Sequence, residues 1–202
     1  IRQGAAGRKN ILTGGDIHHA GEAGLAFLKD IAVFCTNAIH EDQQLPQKVR
    51  AAGGQFWQYS GCGDHAPPHQ GRYAFGFFFG AYDARGYLIW AYNAMGRFDT
   101  SQGSNWGYGW HTPFGMIFGP YILGVREGCD DRRWMETYKK LVVAGDAGAA
   151  SLLDEIGREA IAQRAAGGRD TVTDFYAEMQ RHEQMDVWRN RIIDAILKRA
   201  DK

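Results

Sequence analysis

Residues 72–93, RYAFGFFFGAYDARGYLIWAYN, join an aromatic helix pattern directly to an aromatic strand pattern, and the rest of the fold follows from this stretch. From residue 73 to residue 82 nearly every side chain is aromatic or small, which predicts a helix that is covered on most sides. Gly76 and Gly80 fall on one face of this helix. Because glycine costs a helix about 1 kcal/mol relative to alanine, the two glycines predict a backbone that packs closely against a neighbour.

The second half of the stretch predicts a turn and a strand. Residues 84–86, Ala-Arg-Gly, end the helix pattern, and residues 87–92 are a short apolar run with the aromatic enrichment of a buried strand. A helix, a glycine turn and a buried strand make half of a βαβ unit.

Three more strand patterns precede this stretch, at residues 10–13, 31–38 and 55–59. Helix patterns lie between them at residues 21–29 and 40–52, and a glycine pair stops the second helix. Four strands that alternate with three helices at close intervals indicate parallel βα units with right-handed crossovers. Residues 9–123 therefore predict an α/β fold, either half of a (β/α)8 (TIM) barrel or a small open doubly wound sheet.

The remainder of the chain changes in character. Residues 95–120 predict a long aromatic loop rich in Gly, Asn and Trp. Loops of this length are usually functional or disordered, and Trp106, Tyr108 and Trp110 argue against disorder. Residues 126–144 predict a helix in which the run Asp130-Asp131-Arg132-Arg133 is an exposed helix start. Two capping boxes predict further helices, Ser151 with Asp154 and Thr171 with Asp174. We expect residues 124–202 to form a C-terminal helical segment docked on the barrel.

The composition argues against several classes of protein. Among 202 residues, 23 basic and 23 acidic side chains give zero net charge, so we expect neither nucleic acid nor a membrane as a partner. No apolar run approaches the roughly 18 residues of a transmembrane helix, so we expect a soluble chain whose compartment stays open, secretion and the periplasm included. Cys35, Cys62 and Cys129 have no close pairing, so they predict neither a disulfide framework nor a zinc motif. The first ten residues hold no initiator Met and no signal core, so we expect a truncated product.

Polar and aromatic residues cluster where the predicted strands end. The carboxyl ends of parallel strands converge on one mouth, and both candidate architectures bind ligands there. The candidate substrate-binding residues are Asp16, Trp57, Tyr59, Trp90, Tyr92, Asn93 and Trp106. Aromatic faces beside amide and hydroxyl groups suit a sugar ring, whose C–H faces stack while its hydroxyls require directional hydrogen bonds. The sequence therefore predicts a carbohydrate pocket, and the alternative that Trp57 and Trp90 fill the core stays open.

Two other chemistries are less well supported. Residues 16–19, DIHH, include adjacent His18 and His19, which a strand or turn points apart, whereas zinc needs three or four convergent ligands. Cys62 and His65 resemble a nucleophile turn, but neighbours in one loop seldom aim a base at the thiol. We expect no metal and no cofactor.

Four segments occur in an order that is seen in one enzyme family. They are QFWQYSGCGD at residues 55–64, the stretch at 72–93, TPFGMIFGP at 112–120 and REGCDDRRWMETYKKL at 126–141. Together they resemble the C-terminal half of the catalytic region of glycoside hydrolase family 123 and its relatives. The matching positions are Trp57, Tyr59, Trp90, Tyr92, Asn93, Arg126, Glu127, Gly128 and Asp131.

The resemblance implies a (β/α)8 barrel that hydrolyses β-linked N-acetylhexosaminides, with the substrate's acetamido group as nucleophile and no metal. In the family an adjacent Asp and Glu orient the acetamide and protonate the leaving group. The one Asp-Glu dipeptide here, Asp154-Glu155, falls in the helical tail. The resemblance therefore implies that the chain supplies the second half of the barrel, and its own catalytic residues are unknown.

A half barrel leaves two strand edges open, so we expect a partner: the missing N-terminal half of the barrel, or a second copy of the chain. Two further interpretations stay open. One is a noncatalytic carbohydrate-binding or structural α/β domain, and the other is a small self-contained α/β enzyme that uses Cys62 or Asp64.

Overall fold

The computed structural model describes residues 14–16, 23–26, 32–36, 44–61, 67–90, 109–143, 145–165 and 183–200. Their strands are β1 (Gly14–Asp16), β2 (Val33–Thr36), β3 (Gln55–Gly61), β4 (Gly86–Trp90), β5 (Gly109–Thr112) and β6 (Gly115–Phe118). Their helices are α1 (Leu45–Ala51), α2 (Pro68–Tyr73), a π-helical segment (Ala74–Phe78), α3 (Phe79–Ala81), α4 (Pro120–Val143), α5 (Ala147–Ala165) and α6 (Glu183–Ala200). They belong to two compact units, the sheet unit with β1–β4 and α1, and the helical unit with all the others.

The sheet unit contains a parallel sheet in the strand order β1-β2-β3-β4. α1 connects β2 to β3, and Pro46 fits its first turn because the N–H that proline lacks has no helical partner there. Leu45 and Val49 of α1 are buried, as are Phe34 of β2 and Phe56 of β3. The predicted mixed α/β fold with parallel strands is confirmed.

The strand and helix limits in the sheet unit differ from the predicted ones. Residues 14–16, predicted as a loop, form β1 because their backbone pairs with β2, while residues 10–13 lie outside the described part. β3 continues to Gly61, two residues beyond its predicted end at Tyr59. Within the helix predicted at residues 21–29, the described residues 23–26 form a 3₁₀ turn.

In the helical unit, α2, the π-helical segment and α3 form one continuous helix over residues 68–81, here named the aromatic helix. It packs against α4 and α5, and it buries Tyr73, Phe77, Phe78 and Phe79. The Tyr73 hydroxyl donates to the Ala160 carbonyl oxygen of α5 at 2.5 Å. The prediction of a helix covered on most sides is confirmed, and its covering includes the C-terminal helices.

Facing glycines let the aromatic helix and α4 touch backbone to backbone. A Cβ atom added to Gly124 would lie 1.6 Å from the Pro68 carbonyl oxygen, and one added to Gly128 would lie 2.9 Å from the Gly76 nitrogen. A Cβ atom on Gly80 would lie 2.6 Å from Cε of Met135. The close approach predicted from Gly76 and Gly80 is confirmed.

The π-helical segment aligns the glycines of the aromatic helix. Gly71 and Gly76 are five residues apart, and in an ordinary α-helix that separation turns them about 140° away from each other. The wider π turn brings them back to one side. Both consequently meet α4, where an added Cβ on Gly71 would lie 2.6 Å from the Tyr121 carbonyl oxygen.

The prediction of a loop without elements over residues 95–120 is wrong for residues 109–118, which form the antiparallel hairpin β5–β6. Gly115, with φ of +133°, closes its turn, and the Thr112 hydroxyl donates to the Gly115 carbonyl oxygen at 2.7 Å. Phe114 at the tip is 99% exposed.

Helices α4 and α5 begin earlier than predicted. α4 starts at Pro120 rather than near residue 126, because proline is tolerated in a first turn. α5 starts at Ala147, so the predicted start at the Ser151 capping box is wrong. The cap is Asp146, whose Oδ1 accepts a hydrogen bond from the Ala149 amide at 2.9 Å.

Helix α6 carries the predicted apolar face. Met185, Trp188 and Ile192 are buried, which confirms their assignment to the core. The second predicted capping box, at Thr171, lies outside the described residues. None of the helices in the described ranges is long and apolar enough to cross a membrane.

Candidate functional site

The carboxyl edge of the parallel sheet is where the sequence predicts a sugar pocket. Trp90 ends β4 and is in register with Gly61, which ends β3. Tyr59 lies two residues before Gly61 on the same strand. The backbone thus brings the ends of β3 and β4 to one edge. Three predicted site residues lie outside the described part of the chain, namely Tyr92, Asn93 and Trp106.

Asp16 ends β1 but belongs to a different row of the sheet. The register aligns it with Cys35, Trp57 and Gly86. This row lies four residues before the row that contains Trp90, a separation of about 13 Å along the strands. The backbone therefore does not place Asp16 and Trp90 side by side.

Trp57 packs inside the sheet unit. Its half-buried indole lies over Gly86, where an added Cβ atom would be 2.3 Å from the ring carbon Cδ2. Its Nε1 atom is buried and has no hydrogen-bond partner among the residues that the structure describes. Since Trp57 also lies four residues before the end of β3, the geometry favours the core interpretation for this residue.

A buried charge centre joins three helices of the helical unit. Asp131 of α4 has no exposed side-chain surface, and its Oδ2 accepts a hydrogen bond from Nε of Arg72 at 2.7 Å. Its Oδ1 accepts a hydrogen bond from Nε of Arg189 on α6. One carboxylate therefore binds the aromatic helix and α6 to α4.

Two more carboxylates extend this centre toward the surface. Nη1 of Arg72 donates to Oδ1 of Asp186 at 2.7 Å, and Nη2 of Arg189 donates to Oε2 of Glu127 at 3.1 Å. Nη2 of Arg189 also donates to the Glu127 carbonyl oxygen at 3.1 Å. Each arginine thus bridges a buried carboxylate and an exposed one.

The pKa values in this centre reflect burial and pairing. Burial raises the pKa of Asp131 above its ordinary value, while the hydrogen bonds from Arg72 and Arg189 oppose that shift. Burial lowers the pKa of Arg72, but its bonds to Asp131 and Asp186 outweigh burial, so the net pKa is raised. Because arginine only donates hydrogen bonds, two guanidinium groups around one carboxyl favour its ionised form at neutral pH.

The interpretation of Asp130 and Asp131 as an exposed helix start is wrong for Asp131, which is 1% exposed in the middle of α4. The sequence does carry a signal for this position. Asp131 follows Gly124 by seven residues and Gly128 by three, and these spacings place all three on one helix face. A carboxylate on the face that approaches another backbone is buried, so it needs cationic partners.

The Asp154-Glu155 pair lies on α5, as expected for the helical tail. Nη2 of Arg191 on α6 donates to Oε2 of Glu155 at 2.7 Å, while Asp154 is exposed. On the next turn, Oε2 of Glu159 accepts a hydrogen bond from Nε1 of Trp188 at 2.5 Å. Glu155 therefore has a structural partner between α5 and α6.

A groove of about 340 Å³ opens among the first turns of the aromatic helix, α4 and α6. Its lining includes Pro68, Leu123 and Met185, which are apolar, and Arg126, Glu127 and Asp186, which are charged. The sequence does not predict this groove, because its residues come from three separate segments whose packing depends on the glycine contacts.

Metal binding finds no support in the described ranges, where no three His, Cys, Asp or Glu side chains converge. His18, His19, Cys62 and His65 lie outside those ranges. A comparison with models of known protein families finds no match, and no curated protein is significantly similar to the chain.

Proposed function

We propose that this chain is part of a glycoside hydrolase that acts on β-linked N-acetylhexosaminides or related glycans, and that its parallel sheet lines the sugar pocket. The four strands would be consecutive strands of a (β/α)8 barrel. The supporting observation is the strand order β1-β2-β3-β4, in which strands that follow each other in the chain are neighbours in the sheet. A barrel keeps this order, whereas a doubly wound sheet reverses it at a switch point.

The sugar-facing residues of the proposal are those at and beyond the carboxyl edge of β3 and β4. In this proposal Trp90 would supply a stacking platform, and Tyr59, Tyr92, Asn93 and Trp106 would supply polar or aromatic contacts. Asp16, also a candidate from the sequence, ends β1 in an earlier row of the sheet and is therefore not placed beside Trp90. Aromatic rings near polar groups favour a sugar as ligand, because its C–H faces stack on the rings while its hydroxyls form hydrogen bonds with the polar groups. Trp57 has a supporting role in this proposal because its ring already packs over Gly86.

The partner in this proposal is the N-terminal half of the barrel or a second copy of the chain. β1 and β4 each pair with one neighbour in the described sheet, so each leaves an edge of backbone groups available for pairing. Leu88 on β4 is 42% exposed, an apolar side chain that a further strand or helix would cover.

A noncatalytic carbohydrate-binding or structural domain is the second candidate. In the described part of the sheet unit the carboxylates are Asp16, which ends β1, and Asp83, which lies in the turn before β4, so they are not an adjacent pair. The Asp154-Glu155 pair is on α5, with Glu155 bound to Arg191. These positions favour a chain that binds sugar without supplying the catalytic acids.

Calorimetric titration of the 202-residue chain with chitotetraose, a β-linked N-acetylglucosamine tetramer, tests the proposal. We expect saturable binding, weakened about tenfold or more in Trp90→Ala, since burying one large apolar side chain contributes about 1.5–3 kcal/mol. Trp134→Ala is the matched control because Trp134 is 38% exposed on α4 in the helical unit. Absence of saturable binding, or equal weakening by both variants, would overturn the proposed sugar site.

Hydrolysis of an aryl β-N-acetylhexosaminide separates the catalytic possibilities. We expect no turnover by the chain alone, because the proposed acids belong to the other half of the barrel. Turnover that disappears in Asp16→Asn or in Asp64→Asn would contradict the half-barrel proposal. Glycan binding without hydrolysis even in the full-length gene product would favour the noncatalytic candidate.

A further inference from the structure

The groove of the helical unit has an apolar interior that its helix contacts hold in place. Met185 on α6 is buried beside it, while Leu123 on α4 is 58% exposed although it is a large apolar side chain. Gly124 keeps α4 against Pro68, because a side chain there would collide with the Pro68 carbonyl oxygen. A close backbone contact between these two helices therefore shapes the groove.

The groove's acidic groups already have cationic partners. Glu127 binds Arg189, and Asp186 binds Arg72, so each negative charge is matched inside the protein. Arg72 in turn is shared with the buried Asp131. Neither carboxylate needs a cation from solution, which argues against a cationic ligand.

Arg126 is a charged residue of the groove that has no oppositely charged partner in the described part of the chain. Its side chain lines the groove one position before Glu127, and it has no ion-pair or hydrogen-bond partner among the described residues. A guanidinium group presents a planar fork of donors that matches a carboxylate. The charge left unmatched in the groove is thus positive and favours an anionic group on the ligand.

We propose that this groove binds a small amphiphilic carboxylate of the class of medium-chain fatty acids. The carboxylate lies against Arg126, and the alkyl chain lies along Leu123, Pro68 and Met185. A volume of about 340 Å³ falls at the lower end of the range of about 300–1,000 Å³ for ligand pockets, so the chain is short. The site lies wholly in the helical unit and does not depend on the proposed sugar site.

Titration of the full chain with octanoate, below its micelle concentration, tests this proposal by calorimetry. We expect one saturable site, with Arg126→Gln weakening octanoate about tenfold and leaving the affinity for neutral octanol unchanged. Leu123→Gln weakens both ligands because it removes the apolar contact. Arg126→Lys keeps the positive charge but lacks the planar guanidinium group, so we expect its octanoate affinity to lie between those of the unsubstituted chain and Arg126→Gln.

Matched controls exclude a general effect of charge or surface apolarity. Arg133 is also an exposed arginine on α4, and Leu197 is a 56% exposed leucine near the end of α6. Arg133→Gln and Leu197→Gln are expected to leave octanoate binding unchanged. Absence of saturable binding, or equal weakening by Arg133→Gln and Arg126→Gln, would overturn the proposal. Sedimentation gives a second criterion. A dimer that buries the groove and persists when octanoate is added would also overturn the proposal.

Discussion

Nε of Arg72 lies 2.7 Å from Oδ2 of Asp131, and the Asp131 side chain has no exposed surface. The Arg72 side chain is itself 13% exposed, so the pair is largely removed from water. Removing charges from water costs several kcal/mol per ion, and this cost is offset only where hydrogen bonds satisfy both groups. Arg189 completes that requirement from α6, and the centre therefore depends on all three helices being in place.

Asp131→Asn is expected to destabilise the helical unit strongly. The substitution keeps the size of the side chain but leaves Arg72 and Arg189 without their shared negative charge. We expect the free energy of unfolding in urea to fall by about 2–4 kcal/mol, because breaking a buried pair leaves an uncompensated charge. Asp130→Asn is the control, since its partner Arg133 is 80% exposed, and a change below about 0.5 kcal/mol is expected. Equal losses for the two variants would contradict the role of the buried centre.

Gly124→Ala tests the backbone contact between the aromatic helix and α4. The added methyl group would lie 1.6 Å from the Pro68 carbonyl oxygen, so the helices must separate. We expect a loss of about 1–3 kcal/mol or failure to fold, measured by thermal unfolding. At Gly157 on α5 the nearest atom, Cβ of Ala81, is 3.5 Å from an added Cβ, so Gly157→Ala should stabilise by up to about 1 kcal/mol. Stabilisation by both substitutions would contradict the described contact.

Gly86→Ala tests the packing of Trp57 on β4. The new methyl group would overlap the indole ring, so the sheet unit should lose stability in the presence of Trp57. In a Trp57→Ala background the same substitution meets empty space and should cost much less. A double-mutant cycle in urea is expected to give a coupling energy of about 1 kcal/mol or more. Additive effects would mean that the two residues do not touch.

The cap of α5 predicts a loss of stability in acid. A hydrogen bond from Arg199, followed by one from the Ala149 amide, lowers the pKa of Asp146 from 3.8 to about 2. A carboxyl whose folded pKa is depressed stabilises the protein above its unfolded pKa, and this contribution disappears as the pH falls from about 4 to about 2. Arg199→Gln should therefore destabilise the protein at pH 6 by more than at pH 2.5, as measured by urea midpoints.

A part of the Arg199→Gln effect should persist in acid, because the guanidinium carbon lies 5.6 Å from the centre of the Tyr138 ring. Arg126→Gln is the control for this series, as Arg126 has no described partner. If the loss for Arg199→Gln is the same at every pH, the ionised carboxylate of Asp146 is not its partner.

The aromatic helix is predictable from sequence because its composition leaves few alternatives. A run of aromatic and small residues has no polar face, and Gly76 and Gly80 on one face specify where a neighbour must approach. Its neighbour is not predictable in the same way. Gly128 on α4 is 52 positions along the chain from Gly76, and no local pattern states that the two glycines meet.

Several elements could not be predicted from the sequence, and each has a physical reason. The hairpin β5–β6 was not predicted because its segment is rich in glycine, which is typical of loops. One of these glycines, Gly115, has a positive φ and closes the hairpin turn. Asp146 caps α5 through its side-chain carboxylate, but it is not part of a capping-box sequence. The capping-box pattern occurs at Ser151 and therefore predicted the wrong helix start. The groove could not be predicted from the sequence, because Arg126, Leu123 and Met185 come together only when three helices pack.

The candidate sugar site was predictable in part. Strand patterns of a parallel sheet bring the ends of β3 and β4 to one edge, as the register of Gly61 with Trp90 shows. The register in which β1 pairs with β2 was not predictable, and this register places Asp16 in the same row as Trp57. The sequence predicts Trp57 as a site residue because no pattern near it in the chain indicates that its ring packs on Gly86 of the neighbouring strand.

The most direct test of the central claim is a chemical-shift map of the ¹⁵N-labelled chain titrated with chitotetraose. The proposed function predicts saturable shifts concentrated on the amides of Gly61, Trp90 and the residues that follow them, with maltotetraose giving none. The amides of Gly124 and Met185, beside the separate groove, should not move. Shifts confined to α4, α5 and α6, or no shift at any concentration, would contradict a sugar pocket at the carboxyl edge of the sheet.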